Sequence, residues 1–227
     1  MGVEVADAIL SERALELNVT NEGGIDGTFR LLKNIMGLWL VQQSRRAFEK
    51  QGEKYDYAAL ATLAEEAPPF TALVDPDHQD FMNPPDMVAA IQERCRATEQ
   101  TVPEGAGQMI RCALESLALK YRKVLNGLEE LTGVKVEVVH IVGGGCQNQL
   151  LNQFTANACQ VPVVTGPVEA TALGNVLVQA RSAGAFATLS DLRDVSRASS
   201  EIARYEPTDS AAWTDAFARF EALDPRM

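Results

Sequence analysis

The sequence has few residues of the kinds that most metal sites and nucleophilic enzymes use. Its 227 residues include two histidines, His78 and His140, which stand far apart, and four cysteines that form no C-x-x-C pair. These absences exclude a structural zinc site of the usual ligand spacing, and they leave no Ser-His-Asp or Cys-His set for acyl transfer. We therefore predict no metal ligand in the chain and reduced, buried thiols without a catalytic role, as in a cytoplasmic protein.

Positive charge is scarce as well. Lys and Arg number 20 against 31 Asp and Glu, which gives a formal net charge of -11. This balance argues against a nucleic-acid partner but not against a single phosphate chain held by backbone N–H groups. The sequence also lacks an apolar run of about 18 residues and a basic-then-apolar leader, so we expect a soluble, untargeted protein without membrane contact.

Apolar residues are plentiful enough for a large core, at 46% of the sequence. Residues 2–10 alternate weakly, as a strand does, and a glycine-rich turn follows at 21–24. Beyond the turn, apolar residues recur at helical spacing from Phe29 to about Phe48, which predicts one buried helix. The first part of the chain therefore reads as a strand, a turn and a helix.

The amino-acid composition changes in the middle of the chain. Prolines cluster within residues 52–85, and we interpret this stretch as a surface segment within an insert of about 52–105. A short helix is predicted at 58–66 and another at 86–97. The strongest helical signal then spans 110–131, where apolar residues mark one face and Gly133 supplies the C-cap.

The last part of the chain alternates between strand and helix patterns. The predicted elements are a strand at 136–142, a helix at 147–158, a strand at 161–165 and a helix at 169–182. This order with short links predicts parallel strands in an α/β domain. The tail, about 206–227, is predicted to hold a short helix at 213–220 and little else.

The sharpest local motif is the triple glycine of HIVGGGCQN at residues 140–148, which joins a strand to a helix. Glycines at such a junction let a flat or anionic ligand approach the main chain closely, although a tight turn without a ligand is the alternative. The G-x-G-x-x-G fingerprint is not present, because Asn148 stands where its last glycine would be. A G-K-[ST] loop does not occur in the sequence either. The Asn148 amide suits a purine or ribose, or else caps the helix.

Two further patterns qualify as candidate binding features. In GPVEATALG at 166–174, Ala170 and Gly174 lie one turn apart and make a small-residue face, and Glu169 suits the helix N-terminus. On the predicted first helix, Asn34 and Gln42 are polar exceptions two turns apart and so roughly on one side. They are expected to bind either a ligand or partners inside the protein.

Together these blocks resemble the FGGY carbohydrate kinases. The resemblance depends on TNEGG at 20–24, LKNIMGLW at 32–39, and the two glycine motifs, in order and with comparable spacing. It implies an α/β domain of the ribonuclease-H-like, actin-like ATPase type, as found in the C-terminal half of these two-domain enzymes. By this resemblance residues 1–227 form a single C-terminal domain, and the N-terminal domain is absent from the chain.

The resemblance also implies roles for individual residues. Gly143, Gly144, Gly145 and Asn148 correspond to the adenosine-binding motif, Gln42 lies near the nucleotide, and Asn34 faces the sugar side of the cleft. No catalytic residue is expected here, because the base aspartate belongs to the N-terminal domain of the family.

The implied reaction is transfer of the γ-phosphoryl group of ATP to the 1-hydroxyl of a ketose, with the greatest resemblance to members that act on L-rhamnulose. Magnesium is expected to be held mainly through the ATP phosphates and the other domain. The chain alone is expected to be an incomplete kinase that requires an N-terminal half. The alternative is a freestanding nucleotide-binding or self-associating interaction module.

Overall fold

The computed structural model describes residues 1–223. The strands are β1 (Gly2–Val5), β2 (Thr20–Gly23), β3 (Phe29–Leu32), β4 (Val139–Ile141), β5 (Val163–Thr165) and β6 (Arg204–Tyr205). The α-helices are α1 (Glu12–Glu16), α2 (Trp39–Lys50), α3 (Tyr57–Glu66), α4 (Met87–Ala97), α5 (Gly105–Thr132), α6 (Gln149–Cys159), α7 (Ala170–Ser182), α8 (Leu189–Ala198) and α9 (Ser210–Ala222). Within the described residues, none of these helices combines the length and the apolar character that crossing a bilayer requires.

Helix α5 forms the centre of the molecule. Helices α3 and α6 pack along it, and its apolar face is almost completely removed from solvent, with Leu114 at 0% and Leu117 at 1% exposure. Gly133 ends the helix with φ 70°, a conformation that glycine adopts without the steric cost a Cβ would bring. The predicted long helix and its glycine cap are therefore confirmed.

The first sheet is antiparallel, with β3 in the middle and β1 and β2 on either side. Leu31 of β3 is fully buried and packs with Val124 and Leu128 of α5. The prediction of one helix from Phe29 onward is wrong at its start. Residues 29–32 pair with strands on both sides, and this hydrogen bonding outweighs the helical spacing of their apolar side chains.

Helix α2 begins at Trp39, ten residues later than predicted. Gly37 precedes it with φ 62°, and the indole Nε1 of Trp39 donates to the Phe81 carbonyl at 3.0 Å. Asn34 consequently lies on the loop between β3 and α2, whereas Gln42 lies on the first turn of the helix. The prediction that these two side chains share one helical face is wrong.

The second sheet joins β4 and β5 in parallel and adds β6 antiparallel to β5. Helix α6 connects the two parallel strands, as expected for a β-α-β unit. The predicted parallel arrangement is confirmed. The short strand β6 was not predicted, since two residues leave no readable alternation.

Residues 52–85 contribute to the core, so their assignment to the surface was wrong. Leu73, Val74 and Phe81 are 0–1% exposed and belong to the main core cluster. Helix α3 packs closely on α5 at Gly107, where a Cβ would stand 2.6 Å from the Leu63 carbonyl oxygen. The absence of a side chain at Gly107 therefore allows this close approach. Helix α4 spans the predicted range and is capped by the Asp86 side chain.

A buried carboxylate fastens the loop after α3 to the central helix. Glu115 is 1% exposed, and its oxygens accept hydrogen bonds from the Phe70 backbone N–H at 2.8 Å and from Arg111 Nε at 2.7 Å. Burial raises the pKa of Glu115 to about 7, and the neighbouring Arg111 only partly opposes that rise. The network ties the segment between α3 and α4 to α5.

The C-terminal helices contact the first-sheet region and the main core. Helix α8 was not predicted, although Thr188 and Asp191 form a reciprocal capping box at its start. Arg181 of α7 and Arg193 of α8 form ion pairs with Asp26 and Glu4 of the first-sheet region, each at 2.9 Å. Helix α9 extends the predicted 213–220 and buries Trp213, Phe217 and Phe220 in the main core. The last four residues of the predicted tail, 224–227, lie outside the described part.

Candidate functional site

The glycine motif forms a tight turn between β4 and α6. Gly143 adopts φ 79° and ψ -175°, a region that is essentially closed to residues with a Cβ, and Gly144–Gln147 form a short 3-10 helix. The Gly143 N–H donates to the Pro167 carbonyl at 2.9 Å, and the Cys146 N–H donates back to the Gly143 carbonyl at 3.0 Å. The backbone of the turn is therefore fixed at its start.

The surface of this turn is open. A Cβ built at Gly143, Gly144 or Gly145 meets no atom of the protein within 4 Å. At the neighbouring Gly166, by contrast, a Cβ would come within 2.7 Å of Cγ1 of Val142. The glycines of the turn thus leave unfilled space next to the main chain, where a flat ligand could lie against the backbone.

Asn148 performs the capping role that was left open as one possibility. Its Oδ1 accepts a hydrogen bond from the Leu151 N–H at 2.9 Å, which makes it the N-cap of α6. The residue is half-buried, and among residues 1–223 its amide nitrogen donates no hydrogen bond. The amide nitrogen is therefore the group of this side chain that is available to a ligand.

The two glycine motifs lie side by side. The Gly166 N–H donates to the Ile141 carbonyl at 2.9 Å, and the Cys146 thiol donates to the Gly166 carbonyl at 3.6 Å. Glu169 is the N-cap residue of α7 and is exposed, without a capping hydrogen bond from its side chain. A Cβ at Gly174 would meet no atom within 4 Å, so the predicted small-residue face of α7 is open.

Asn152, which the sequence did not single out, supports the turn from behind. The side chain is 0% exposed on α6, and its Nδ2 donates to the Cys146 carbonyl at 2.8 Å. Its Oδ1 is buried and accepts no hydrogen bond within the described part of the chain. A polar residue among the apolar positions of LLNQF was the available signal, because buried amides require partners.

Gln42 and Asn34 are placed on elements other than the glycine turn. Gln42 is exposed on α2, which packs on α4 and α5. Asn34 is exposed on a loop that is held at both ends: the Lys33 N–H donates to the Met1 carbonyl at 2.9 Å, and the Met36 N–H donates to Asp77 Oδ1 at 2.8 Å. The hydrogen bonds of the glycine turn run instead to β4, α6 and the Gly166–Pro167 turn.

A buried ionic cluster anchors the loop that carries Asn34. Lys120 Nζ lies 2.9 and 3.0 Å from the two carboxylate oxygens of Asp75 and 3.1 Å from Oδ2 of Asp77. The Lys120 side chain is 2% exposed, and those of Asp75 and Asp77 are 8% and 20% exposed. Through Asp77, this cluster connects α5 to the backbone of Met36.

Two cavities lie away from the glycine turn. One, of about 120 Å³, is lined by Lys33, Lys120 and Lys123 together with Glu16, Asn18 and apolar residues. Burial lowers the pKa of Lys33. The other, of about 380 Å³, lies beside β1 and β3. The glycine turn lines neither of these two cavities.

The expectations about cysteines and metals bear on the glycine turn only through Cys146. All four cysteines are free and buried. Within residues 1–223, no group of three or more His, Cys, Asp or Glu side chains is placed to hold a metal ion.

Comparison with known proteins identifies the family. Residues 1–183 match the model of the FGGY family of carbohydrate kinases, C-terminal domain. The chain belongs to the FGGY family. The predicted resemblance is thereby confirmed, and the glycine turn lies inside the matched range.

The matches to curated relatives cover nearly the whole of this chain. It is 46% identical over 221 residues to a rhamnulokinase of Bacteroides thetaiotaomicron, a match that covers 97% of this chain and 45% of that protein. It is 44% identical over 223 residues to a rhamnulokinase of Pectobacterium carotovorum, with 98% and 44% covered. The chain therefore spans about half the length of the curated relatives it matches.

Solved structures agree with this fold. The xylulose kinase of Rhodospirillum rubrum superposes with a TM-score of 0.69 at 18% identity, covering 98% of this chain and 44% of that one. A ligand-bound xylulose kinase of Lactobacillus acidophilus gives 0.71 at 14% identity, with the same coverage. The predicted α/β, actin-like ATPase fold of the C-terminal half of an FGGY kinase is confirmed.

Proposed function

We propose that the chain is the nucleotide-binding domain of a rhamnulokinase, which transfers the γ-phosphoryl group of ATP to the 1-hydroxyl of L-rhamnulose. The open glycine turn is the observation that carries this proposal, since Gly143, Gly144 and Gly145 leave the main chain accessible to a flat ligand. The identity of 46% and 44% to two rhamnulokinases over nearly the whole chain supports the choice of sugar.

In this proposal the adenosine lies on the glycine turn and the Asn148 amide nitrogen donates to it. Gln42 lies near the nucleotide, and Asn34 faces the sugar side, on a loop anchored by Asp77. The chain supplies no catalytic base. The aspartate that removes the hydroxyl proton in this family belongs to the part of the relatives that these 227 residues do not match.

The proposed chemistry depends on positioning and charge neutralisation. Magnesium would reach the site on the ATP phosphates, because this ion keeps several waters and usually takes only one or two protein carboxylates. Residues 1–227 act as a single domain in this proposal, with the 52–105 segment as a family insert. Four free, buried cysteines support a reducing compartment, which for this enzyme is the cytoplasm.

A chimera tests the proposal. The 227 residues replace the matched region of the B. thetaiotaomicron rhamnulokinase, and ADP release is measured with L-rhamnulose and, as a matched control, D-xylulose. We expect ATP-dependent turnover that favours L-rhamnulose. The 227-residue chain alone is expected to bind a non-hydrolysable ATP analogue without turnover. A folded chimera that is inactive with L-rhamnulose, or turnover by the chain alone, would contradict the proposal.

Self-association is a second candidate, favoured by exposed apolar side chains around α7. Val142, Val168, Val176 and Val178 are 40–63% exposed, and such apolar surface can pair with a second copy of the chain. Light scattering of the purified chain tests this candidate. A concentration-dependent dimer that binds no nucleotide would favour the interaction module over the kinase domain.

A further inference from the structure

Asn152 occupies a position that the fold alone would fill with an apolar side chain. It lies on the buried face of α6, between residues of the main core such as Leu151 and Phe154, and is 0% exposed. Its Oδ1 has no hydrogen-bond partner in the described part of the chain. A buried acceptor left unsatisfied costs stability, whereas leucine, which is of similar size, would remove that cost.

Among residues 1–223, the single hydrogen bond made by the Asn152 side chain is directed at the glycine turn. Nδ2 donates to the carbonyl of Cys146, at the end of the turn opposite to the Gly143–Pro167 hydrogen bond. Between these two anchors, Gly144 and Gly145 have open space where a side chain would be. Because no side-chain packing supports these glycines on that side, the anchors at either end set the shape of the turn.

We propose that Asn152 is a positioning residue of the nucleotide site, which fixes through the Cys146 carbonyl the conformation of the turn that faces adenosine. This inference rests on the proposed function. A residue that lowers the stability of the fold but holds a binding element in place is expected at a functional site. Such sites often contain buried polar atoms without partners, which the fold alone would not select.

The test compares Asn152→Leu with the wild-type chain in two measurements. Thermal unfolding reports stability, and ligand-observed NMR titration with AMP-PNP to millimolar concentration reports nucleotide affinity. We expect the melting temperature of the variant to change little, because the unsatisfied Asn152 acceptor is removed while the Cys146 carbonyl loses its side-chain donor. We expect its affinity for AMP-PNP to fall about fivefold or more, because binding must then order a turn that has lost one of its two anchors, at a cost of about one hydrogen bond.

Asn157 supplies the matched control on the same helix. It is 6% exposed, and its Oδ1 accepts from the Thr208 N–H at 3.0 Å and from Gln153 Nε2 at 2.8 Å, away from the glycine turn. Asn157→Leu should lower the melting temperature while leaving the AMP-PNP affinity of the folded protein unchanged. The two variants therefore separate loss of stability from loss of positioning.

The outcomes distinguish this inference from the proposed function. If the wild-type chain binds no AMP-PNP at millimolar concentration, both the proposed function and the inference that rests on it are contradicted. If the wild type binds and Asn152→Leu binds equally well, only the inference is overturned. If Asn152→Leu and the smaller Asn152→Ala both lose stability together with affinity, or do not fold, Asn152 is structural and the inference is again overturned.

Discussion

Replacement of Lys120 by methionine should destabilise the protein strongly. The substitution keeps most of the aliphatic volume but removes the ammonium that lies within 3.1 Å of both Asp75 and Asp77. Two carboxylates, 8% and 20% exposed, would then face each other without a counter-charge. Removal of one partner from a buried ion pair costs about 3–5 kcal/mol, which for a domain of this size lowers the melting temperature by about 6–20 °C.

Urea unfolding followed by tryptophan fluorescence measures this loss. Lys135→Met is the matched control, because its ion pair with Glu129 is short, at 2.5 Å, but its side chain is 88% exposed. That variant should change the free energy of unfolding by less than about 1 kcal/mol. Combining Lys120→Met with Asp75→Asn should recover part of the loss, since one buried charge fewer is then left unpaired. Equal effects of Lys120→Met and Lys135→Met would refute the role assigned to burial.

Three further predictions follow from the glycine turn and the buried carboxylate. Gly143→Ala should lower the free energy of unfolding by about 1–3 kcal/mol, because φ 79° with ψ -175° suits only glycine. The control Gly144→Ala should change the free energy of unfolding little. Equal losses for the two variants in urea unfolding would be inconsistent with this geometry. Asn148→Ala should lower the free energy of unfolding by about 1 kcal/mol through loss of the α6 cap. The same variant should bind AMP-PNP more weakly in calorimetry, and unchanged binding would remove Asn148 from the proposed site. Because the pKa of Glu115 is raised to about 7 in the folded protein, its contribution to stability should decrease as the pH rises from about 4.5 through 7. Wild type should therefore lose up to about 3 kcal/mol relative to Glu115→Gln between pH 5 and pH 8 in urea unfolding, and a difference that does not vary with pH would contradict the raised pKa.

The elements that sequence patterns predicted well are those whose own residues determine their conformation. Helix α5 has a continuous apolar face and a glycine at its end, so local preference and packing agree. The alternation of strands and helices from β4 to α7 was readable for the same reason. The open glycine turn was predicted from the glycines themselves, because few other residues fit such a junction.

The errors arose where distant parts of the chain decide the conformation. Phe29 and Leu32 have helical spacing to Met36 and Trp39, yet they belong to a strand because β1 and β2 pair with them. Leu73 lies among prolines in a segment that reads as a surface loop, but it is buried in the main core. The cluster of Lys120 with its two aspartates was not predicted, since Asp75 lies 45 residues from Lys120 in the sequence. Helix α8 could have been found from its Thr188–Asp191 capping box.

The hydrogen bonds from Gly143 to Pro167 and from Gly166 to Ile141 extend the pairing of β4 and β5 beyond the strands. A main chain braced in this way has already lost its conformational entropy before any ligand arrives. Binding of the proposed nucleotide to such a rigid surface should lose little free energy to ordering, so modest contacts with a purine should give measurable affinity. For the same reason, recognition on this side of the molecule should resemble lock-and-key fit, with any larger rearrangement left to other elements.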